Sequence, residues 1–297
     1  MDLKQLRTFL HVADLGSLSR AAKRLRLSQP ALSRQIKLLE EEVGEALLSR
    51  TGRGVEITEA GEVLARRASR ILSEVERLHA DMSDYKGRIS GEVVLGLPPS
   101  AGLAVGGPLI ERYRATYADV KVRVVQMMSG NVQDALLDGR LDLGIIYEGA
   151  PAKRLRAERL WSEELYLVGN QEAGIEKDAP VSFADVCKHP LVLSAPRHGL
   201  RQILEVQAVK DDLNLDVAVE SDSLSMILEL TRRGLGATVL PLVACRDDLE
   251  KGSLFAAPIS TPKLERISSL AWSKDFPLSP AAAAMADMIK SLKVEYS

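Results

Sequence analysis

The stretch Phe9–Gly44, FLHVADLGSLSRAAKRLRLSQPALSRQIKLLEEEVG, runs through three short helical patterns in succession. Leu3, Leu6, Phe9, Leu10 and Ala13 recur at helical spacing just before and into it, and Gly16-Ser17 ends that helix and caps the next. Ser17–Leu25 places Leu18, Ala21, Ala22 and Leu25 on one face, and small alanines let helices approach closely. Arg26-Leu27 is a tight turn, Ser28 is a second N-cap, and Pro30 falls in a first turn where its missing N–H costs nothing. A third helix follows over about Gln29–Val43 with Leu32, Ile36 and Leu39 facing inward. Two helices joined by so short a turn predict a helix-turn-helix. The exposed side of the third helix would carry Ser28, Gln29, Pro30, Ala31, Ser33, Arg34 and Lys37. Gln and Arg form paired bonds to purine edges, Ala touches a thymine methyl, and Ser and Lys suit phosphate, so double-stranded DNA is the expected partner.

Working outward, Leu47–Ile57 reads as two short strands around a Gly52/Gly54 turn, a wing with Arg50 and Arg53 at its tip, placed to meet phosphate or a minor groove. Thr58 caps a long helix reaching about Tyr85 before Gly87 ends it. Leu64, Ala68, Ile71, Val75, Leu78, Met82 and Tyr85 repeat along it at alternating spacings of four and three, a heptad seam that needs a second helix beside it. Pairing with its copy would make a homodimer, which suits two half-sites on DNA; the alternative is a helix packed within its own chain.

Charge follows the same division. The formal net charge of the 297 residues is −2, yet residues 1–58 are net +3, and Arg20–Leu39 holds six cations and no carboxylate. A polyanion fits that front end. Hydrophobic residues at 46% and charged residues at 27% describe a packed globular chain. The run Gly91–Ile110, with Glu92 its single charge, is broken by Pro98-Pro99 and Gly106-Gly107-Pro108, so no membrane span is expected. The N-terminus lacks a secretory pattern, and a cytoplasmic location is expected. Cys187 and Cys245 stand alone, giving neither a disulfide framework nor a zinc site; both are expected to be buried thiols.

From Gly91 strands alternate with helices: Glu92–Leu97, a broken helix over Ser100–Tyr117, Val120–Gln126, a helix over Asn131–Leu137, and Leu141–Tyr147. Strands at Leu165–Val168, Leu191–Leu193, Val217–Val219, Thr238–Leu240 and Ser268–Trp272 continue the set, with helices near Gly199–Lys210, Ser223–Arg233 and Pro280–Leu292. This predicts an α/β domain with largely parallel sheets, long enough for two lobes and a cleft. The whole is an α+β multidomain chain: a winged helix-turn-helix over 1–58, a dimerising linker helix and hinge over 59–90, and a two-lobed α/β domain over 91–297. Its lobes are expected at about 91–165 plus 268–297, and about 166–267.

The run FLHVADLGSLSRAAKRLRLSQPALSRQIKLLEEEVG, LLSRTGRGVEITEAG after it, and GRLDLGIIYE and RRGLGATVLP further on resemble the LysR-type transcriptional regulators over essentially the whole chain. PPSAG, MMSG and IIYE are most similar to the nitrogen-assimilation-control branch. The resemblance implies a C-terminal domain similar to periplasmic solute-binding proteins, two lobes joined by crossover strands. It also implies homotetramers, contact with RNA polymerase, and activation or repression tuned by a small-molecule effector. The implied effector contacts are Ser100 and Ala101, Ser129 with Gly130 and Asn131, Ser194 with Arg197, His198 and Gly199, and Thr238. Hydroxyls beside helix N–H groups suit a ligand carboxylate, so an anionic organic effector is expected.

Other classes fare worse. Ser83-Asp-Tyr-Lys86 spells S-x-x-K without its partner motifs, Gly234-Leu-Gly236 is a fragment of a dinucleotide fingerprint, and His11, His79 and His189 have no metal-ligand spacing. No enzyme, cofactor or metal is expected. A transporter's solute-binding protein conflicts with the basic helix-turn-helix. An effector-independent DNA binder, with residues 91–297 serving assembly alone, stays open.

Overall fold

The computed structural model describes residues 1–52, 54–84, 89–147, 153–176 and 179–292. Arg53, Tyr85, Lys86 and Gly87, with the side chains of Arg50, His79 and Ser83, lie outside the described residues. The chain divides into two units, Met1–Gly91 with Asp138–Arg140, and Glu92–Leu137 with Leu141–Ser297.

In the first unit, α1 (Leu3–Leu15) starts at a reciprocal cap in which Gln5 N–H donates to Asp2 Oδ1 and Asp2 N–H to Gln5 Oε1. Then come α2 (Leu18–Leu25), capped by Ser17, and α3 (Gln29–Val43), capped by Ser28 with Pro30 in its first turn. Leu6, Phe9, Val12, Ala21, Ala22, Leu32, Ile36 and Leu39 form the core. Leu3 is exposed, because Val12 rather than Leu3 completes the inward face of α1. The wing, β1 (Leu48–Thr51) and β2 (Gly54–Ile57), is an antiparallel pair. Glu40 Oε1 anchors it by accepting from the N–H groups of Leu47 and Leu48, and Val55 N–H donates to Gly16 O. Gly54 has φ +148°, and a Cβ there would lie 2.5 Å from Gly16 O, so only glycine permits this approach.

Thr58 Oγ1 accepts from Gly61 N–H and opens α4 (Glu59–Asp84). The heptad seam divides. Leu64 and Ala68 pack into the core of the winged module, joined there by Leu72 from outside the seam, whereas Ile71, Leu78 and Met82 are 41%, 59% and 58% exposed. The expectation of one continuous pairing seam is therefore corrected for its first part, because the winged module uses those positions to close its own core.

The second unit opens with β3 (Gly91–Leu97), a single turn α5 (Pro99–Ala101), a wide π turn over Gly102–Gly106 and α6 (Gly107–Thr116). Next are β4 (Val120–Gln126), α7 (Ser129–Leu137), β5 (Leu143–Tyr147), β6 (Leu155–Glu164), β7 (Tyr166–Gly169), β8 (Val181–Ser182) and α8 (Phe183–Val186). The chain continues with β9 (Leu191–Leu193), α9 (Gly199–Lys210), β10 (Val217–Glu220), α10 (Leu224–Arg232), β11 (Thr238–Leu240) and α11 (Arg246–Glu250). It ends with β12 (Phe255–Thr261), β13 (Glu265–Ser273) and α12 (Pro280–Lys290). One sheet has the order β4-β3-β5-β13-β6; the other lobe holds β11-β7-β12-β8 and the pair β10-β9.

The sheets are mixed, which corrects the expectation of largely parallel ones. β3 with β5, β9 with β10 and β8 with β12 are parallel, but β13 runs against both β5 and β6, and β7 against both β11 and β12. The cause is the pair of crossover strands. β6 carries the chain out of the first sheet, and β13 brings it back alongside. β6, β8 and β12 are additional to the expected strands: LRAERLWSEE carries five charges and FAAPIST holds Pro258, so neither shows an apolar strand pattern. Cys245 is buried, and burial pushes its thiol up to about 12, while Cys187 is only half-buried.

Candidate nucleic-acid interface and effector cleft

The outer side of α3 is assembled by its inner one. With Leu32, Ile36 and Leu39 committed to the core, the 3.6-residue period turns Ser28, Gln29, Pro30, Ala31, Arg34 and Lys37 to solvent, with Ser33 half-buried at the edge. Ser28 is occupied as a cap, its Oγ accepting from Ala31 N–H. Ser19 Oγ donates to Gln29 Oε1 at 3.3 Å, a contact between α2 and α3 that orients the amide. Lys37 pairs with Glu41 at 3.5 Å, an exposed i,i+4 pair worth about 0.3–0.5 kcal/mol and readily exchanged for phosphate. Thr8 Oγ1 donates to Gln35 Oε1 and fixes α3 against α1. Arg50 lies in β1, paired with Val55.

In the second unit a cavity of about 40 Å³ lies between the lobes. Of the expected effector residues, Ser100, Ser129, Ser194, His198 and Thr238 line it; Ala101, Gly130, Asn131 and Arg197 do not. Ser100 and Ser129 are not caps of their own helices. Ser129 Oγ accepts from Gly199 N–H at 3.2 Å, and in return Gly130 N–H donates to His198 Nδ1 at 3.3 Å. The starts of α7 and α9 are thus bonded to each other across the cleft. A Cβ at Gly130 would sit 2.9 Å from Arg197 O and 3.0 Å from His198 Nδ1, which makes glycine a condition of that approach. On the other side of the ring, His198 Nε2 faces Asp222 Oδ1 at 3.0 Å. Burial pushes the Asp222 carboxyl up, but the bonds from His198 and Ala195 N–H, with the charge of Arg197, outweigh it and hold it below its usual range. Arg197 is exposed, 3.9 Å from Asp134 and 3.7 Å from Asp222.

Three further polar residues line the cleft that were not among the expected effector contacts: Tyr147, Arg201 and Arg266. Arg266, 2% exposed, donates from Nε to Glu163 Oε2 at 2.8 Å and from Nη2 to Ser100 Oγ at 2.9 Å, with its guanidinium 3.9 Å from the Tyr147 ring centre. Tyr147 Oη lies 2.7 Å from Ser100 Oγ, and burial pushes its phenol up, so it is protonated at neutral pH. Arg201 donates to Glu205 and to Ser194 O. A signal for Arg266 does exist: Arg266, Ser268 and Leu270 alternate along β13 and share its buried face.

Among the described residues no helix is long and apolar enough to cross a membrane, and no group of His, Cys, Asp and Glu is placed to hold a metal.

Residues 3–62 match the family described as bacterial regulatory helix-turn-helix protein, lysR family, and residues 86–293 match the LysR substrate binding domain. The nitrogen assimilation regulatory protein nac of Klebsiella aerogenes is 33% identical over 293 residues, covering 98% of this chain and 95% of that one. Full-length CbnR complexed with its target DNA shares the fold at TM-score 0.70 and 22% identity, over 98% of this chain and 99% of that one. A full-length variant of OxyR from Pseudomonas aeruginosa shares it at TM-score 0.70 and 24% identity, over 99% and 96%. With both halves of the chain matched and a relative one-third identical along its length, this protein belongs to the LysR family of DNA-binding transcriptional regulators.

Proposed function

We propose that residues 1–58 read a specific DNA sequence through the exposed side of α3, with Gln29 and Arg34 on base edges. Ser28, Ala31, Ser33 and Lys37, with Arg50 and Arg53 of the wing, then position the duplex. Residues 59–90 pair two chains through Ile71, Leu78 and Met82, three apolar positions of the seam that the winged module leaves exposed. Residues 91–297 bind a small organic effector between the lobes, at Ser100 and Ser129 on one side and Ser194, His198 and Thr238 on the other. The working assembly is a homodimer or homotetramer in the cytoplasm that acts on RNA polymerase and carries out no catalysis.

The observation that carries this reading is the division of α3 into three buried leucine and isoleucine positions and a solvent face rich in base- and phosphate-binding side chains. That arrangement serves a duplex groove, and CbnR, a regulator of the same fold, has been crystallised with its target DNA. Selection from random duplexes by the full chain tests it. Enrichment of a two-fold symmetric sequence is the expected result; binding without enrichment would leave only a nonspecific DNA binder.

A further inference from the structure

We propose that Arg266, fixed from behind by Glu163, is the group in the cleft that recognises a ligand carboxylate, and that the ligand is a short aliphatic monocarboxylate. This rests on the reading of residues 91–297 as a small-molecule sensor and names the chemistry of its site.

The guanidinium has two differently used edges. Its Nε side is held by Glu163, 3% exposed and paired with Arg266 in register between β6 and β13. Ser268 Oγ also donates to Glu163 Oε2, so two bonds from β13 fix the carboxylate. Glu163 does not line the cavity, whereas Arg266 does, with its Nη2 turned to Ser100. A carboxylate entering the cleft meets that Nη edge, the Ser100 hydroxyl and the protonated Tyr147 phenol together. It can take the bond now made to Ser100 Oγ and gain the phenol as a second donor.

The opposite wall limits the remainder of the ligand. Leu193, Leu200, Leu224, Ile227 and Leu240 make most of that wall apolar, and Ser194, His198 and Thr238 add two hydroxyls and an imidazole to it. The second cation, Arg201, is already engaged by Glu205 and by Ser194 O. A second ligand carboxylate would therefore lose its water against a wall that is mostly hydrocarbon and whose guanidinium is already engaged, an unfavourable exchange. The cavity of about 40 Å³ admits a chain of only a few carbons without parting the lobes. Glu163 also sets the charge: with it the polar end of the cleft is neutral, so Arg266 stays buried and aimed whether or not a ligand is bound.

The test uses the full chain, thermal unfolding and calorimetric titration, with propionate, propionamide, succinate and succinamide as probes. Propionate should raise the melting temperature, and its uncharged isostere propionamide should not. Arg266→Gln alone strands the Glu163 charge and endangers folding, so the decisive variant is Arg266→Gln with Glu163→Gln, an amide pair of similar shape. It should bind propionate about tenfold more weakly or worse, as expected for loss of a charged hydrogen bond. Glu163→Gln alone should bind propionate severalfold more tightly, because the carboxylate offsetting the guanidinium is gone; a purely structural Glu163 would weaken it. Equal binding of propionamide, undiminished binding by the double variant, or weaker binding by Glu163→Gln would each overturn the proposal, and succinate binding as well as propionate would overturn its monocarboxylate part. If the wild type ignores propionate but binds succinamide in a manner lost in Ser194→Val, the ligand class falls and the sensor reading stands. If neither propionate nor succinamide binds, both fall.

Discussion

Arg34 and Arg266 carry the same guanidinium and have opposite surroundings. Arg34 lies on the solvent side of α3, near the Ser28 cap; Arg266 is 2% exposed between two strands, bonded to Glu163 and Ser100. The first is available to an incoming polyanion and contributes little to the fold. The second is part of the fold, and any ligand must compete with or extend the bonds it already makes. The two units handle charge in these two ways: the winged module keeps its cations outside a hydrocarbon core, and the sensing unit builds charge into its crossover strands.

That contrast can be broken or sharpened in four ways. Replacing Arg266 by Ala leaves the buried Glu163 carboxylate without its cation, and stability of the second unit should fall by about 3–5 kcal/mol in denaturant unfolding. A loss below about 1 kcal/mol would mean the pair is solvated. Leu78→Asp and Ile71→Asp should leave the monomer folded, since both positions are exposed in the single chain, yet cost several kcal/mol of association by placing a charge between helices. Sedimentation at micromolar concentration would show monomers; an unchanged oligomer would contradict pairing along α4. Gly130→Ala pushes a methyl into Arg197 O and His198 and should cost about 1–3 kcal/mol. Unaltered unfolding would show that α7 and α9 are not held together there. The smallest effect belongs to Lys37→Gln, with stability within about 0.5 kcal/mol of wild type and the salt slope of DNA binding lowered by about one unit. An unchanged slope would remove Lys37 from the interface.

The same contrast governs how much the sequence reveals. Ser17, Ser28 and Thr58 announce helix starts, and the structure finds all three capping where the pattern puts them, because capping is local chemistry. The α3 face is legible because a 3.6 period divides inside from outside without knowledge of any partner. The heptad seam is half legible: spacing shows that Leu64, Ala68, Ile71 and Leu78 need an apolar partner, but not that the first two find it in their own module. β6 and β12 are hidden by charge and proline. Arg266 and Glu163 are distant in sequence, and only the register of β6 against β13 brings them opposite each other. Of the expected cleft residues the serines, His198 and Thr238 line the cavity, while Arg197 stays at the surface, since a residue two before a helix start can point either way.

Whether the exposed face of α3 reads base sequence is tested most directly by Arg34→Ala. Binding is measured to a duplex selected by the wild-type chain and to a scrambled duplex at one salt concentration. Loss of about 1–3 kcal/mol on the selected duplex, with affinity for the scrambled one nearly kept, is the predicted result. Equal loss on both duplexes would make Arg34 a phosphate contact and contradict the assignment of α3 as the reader.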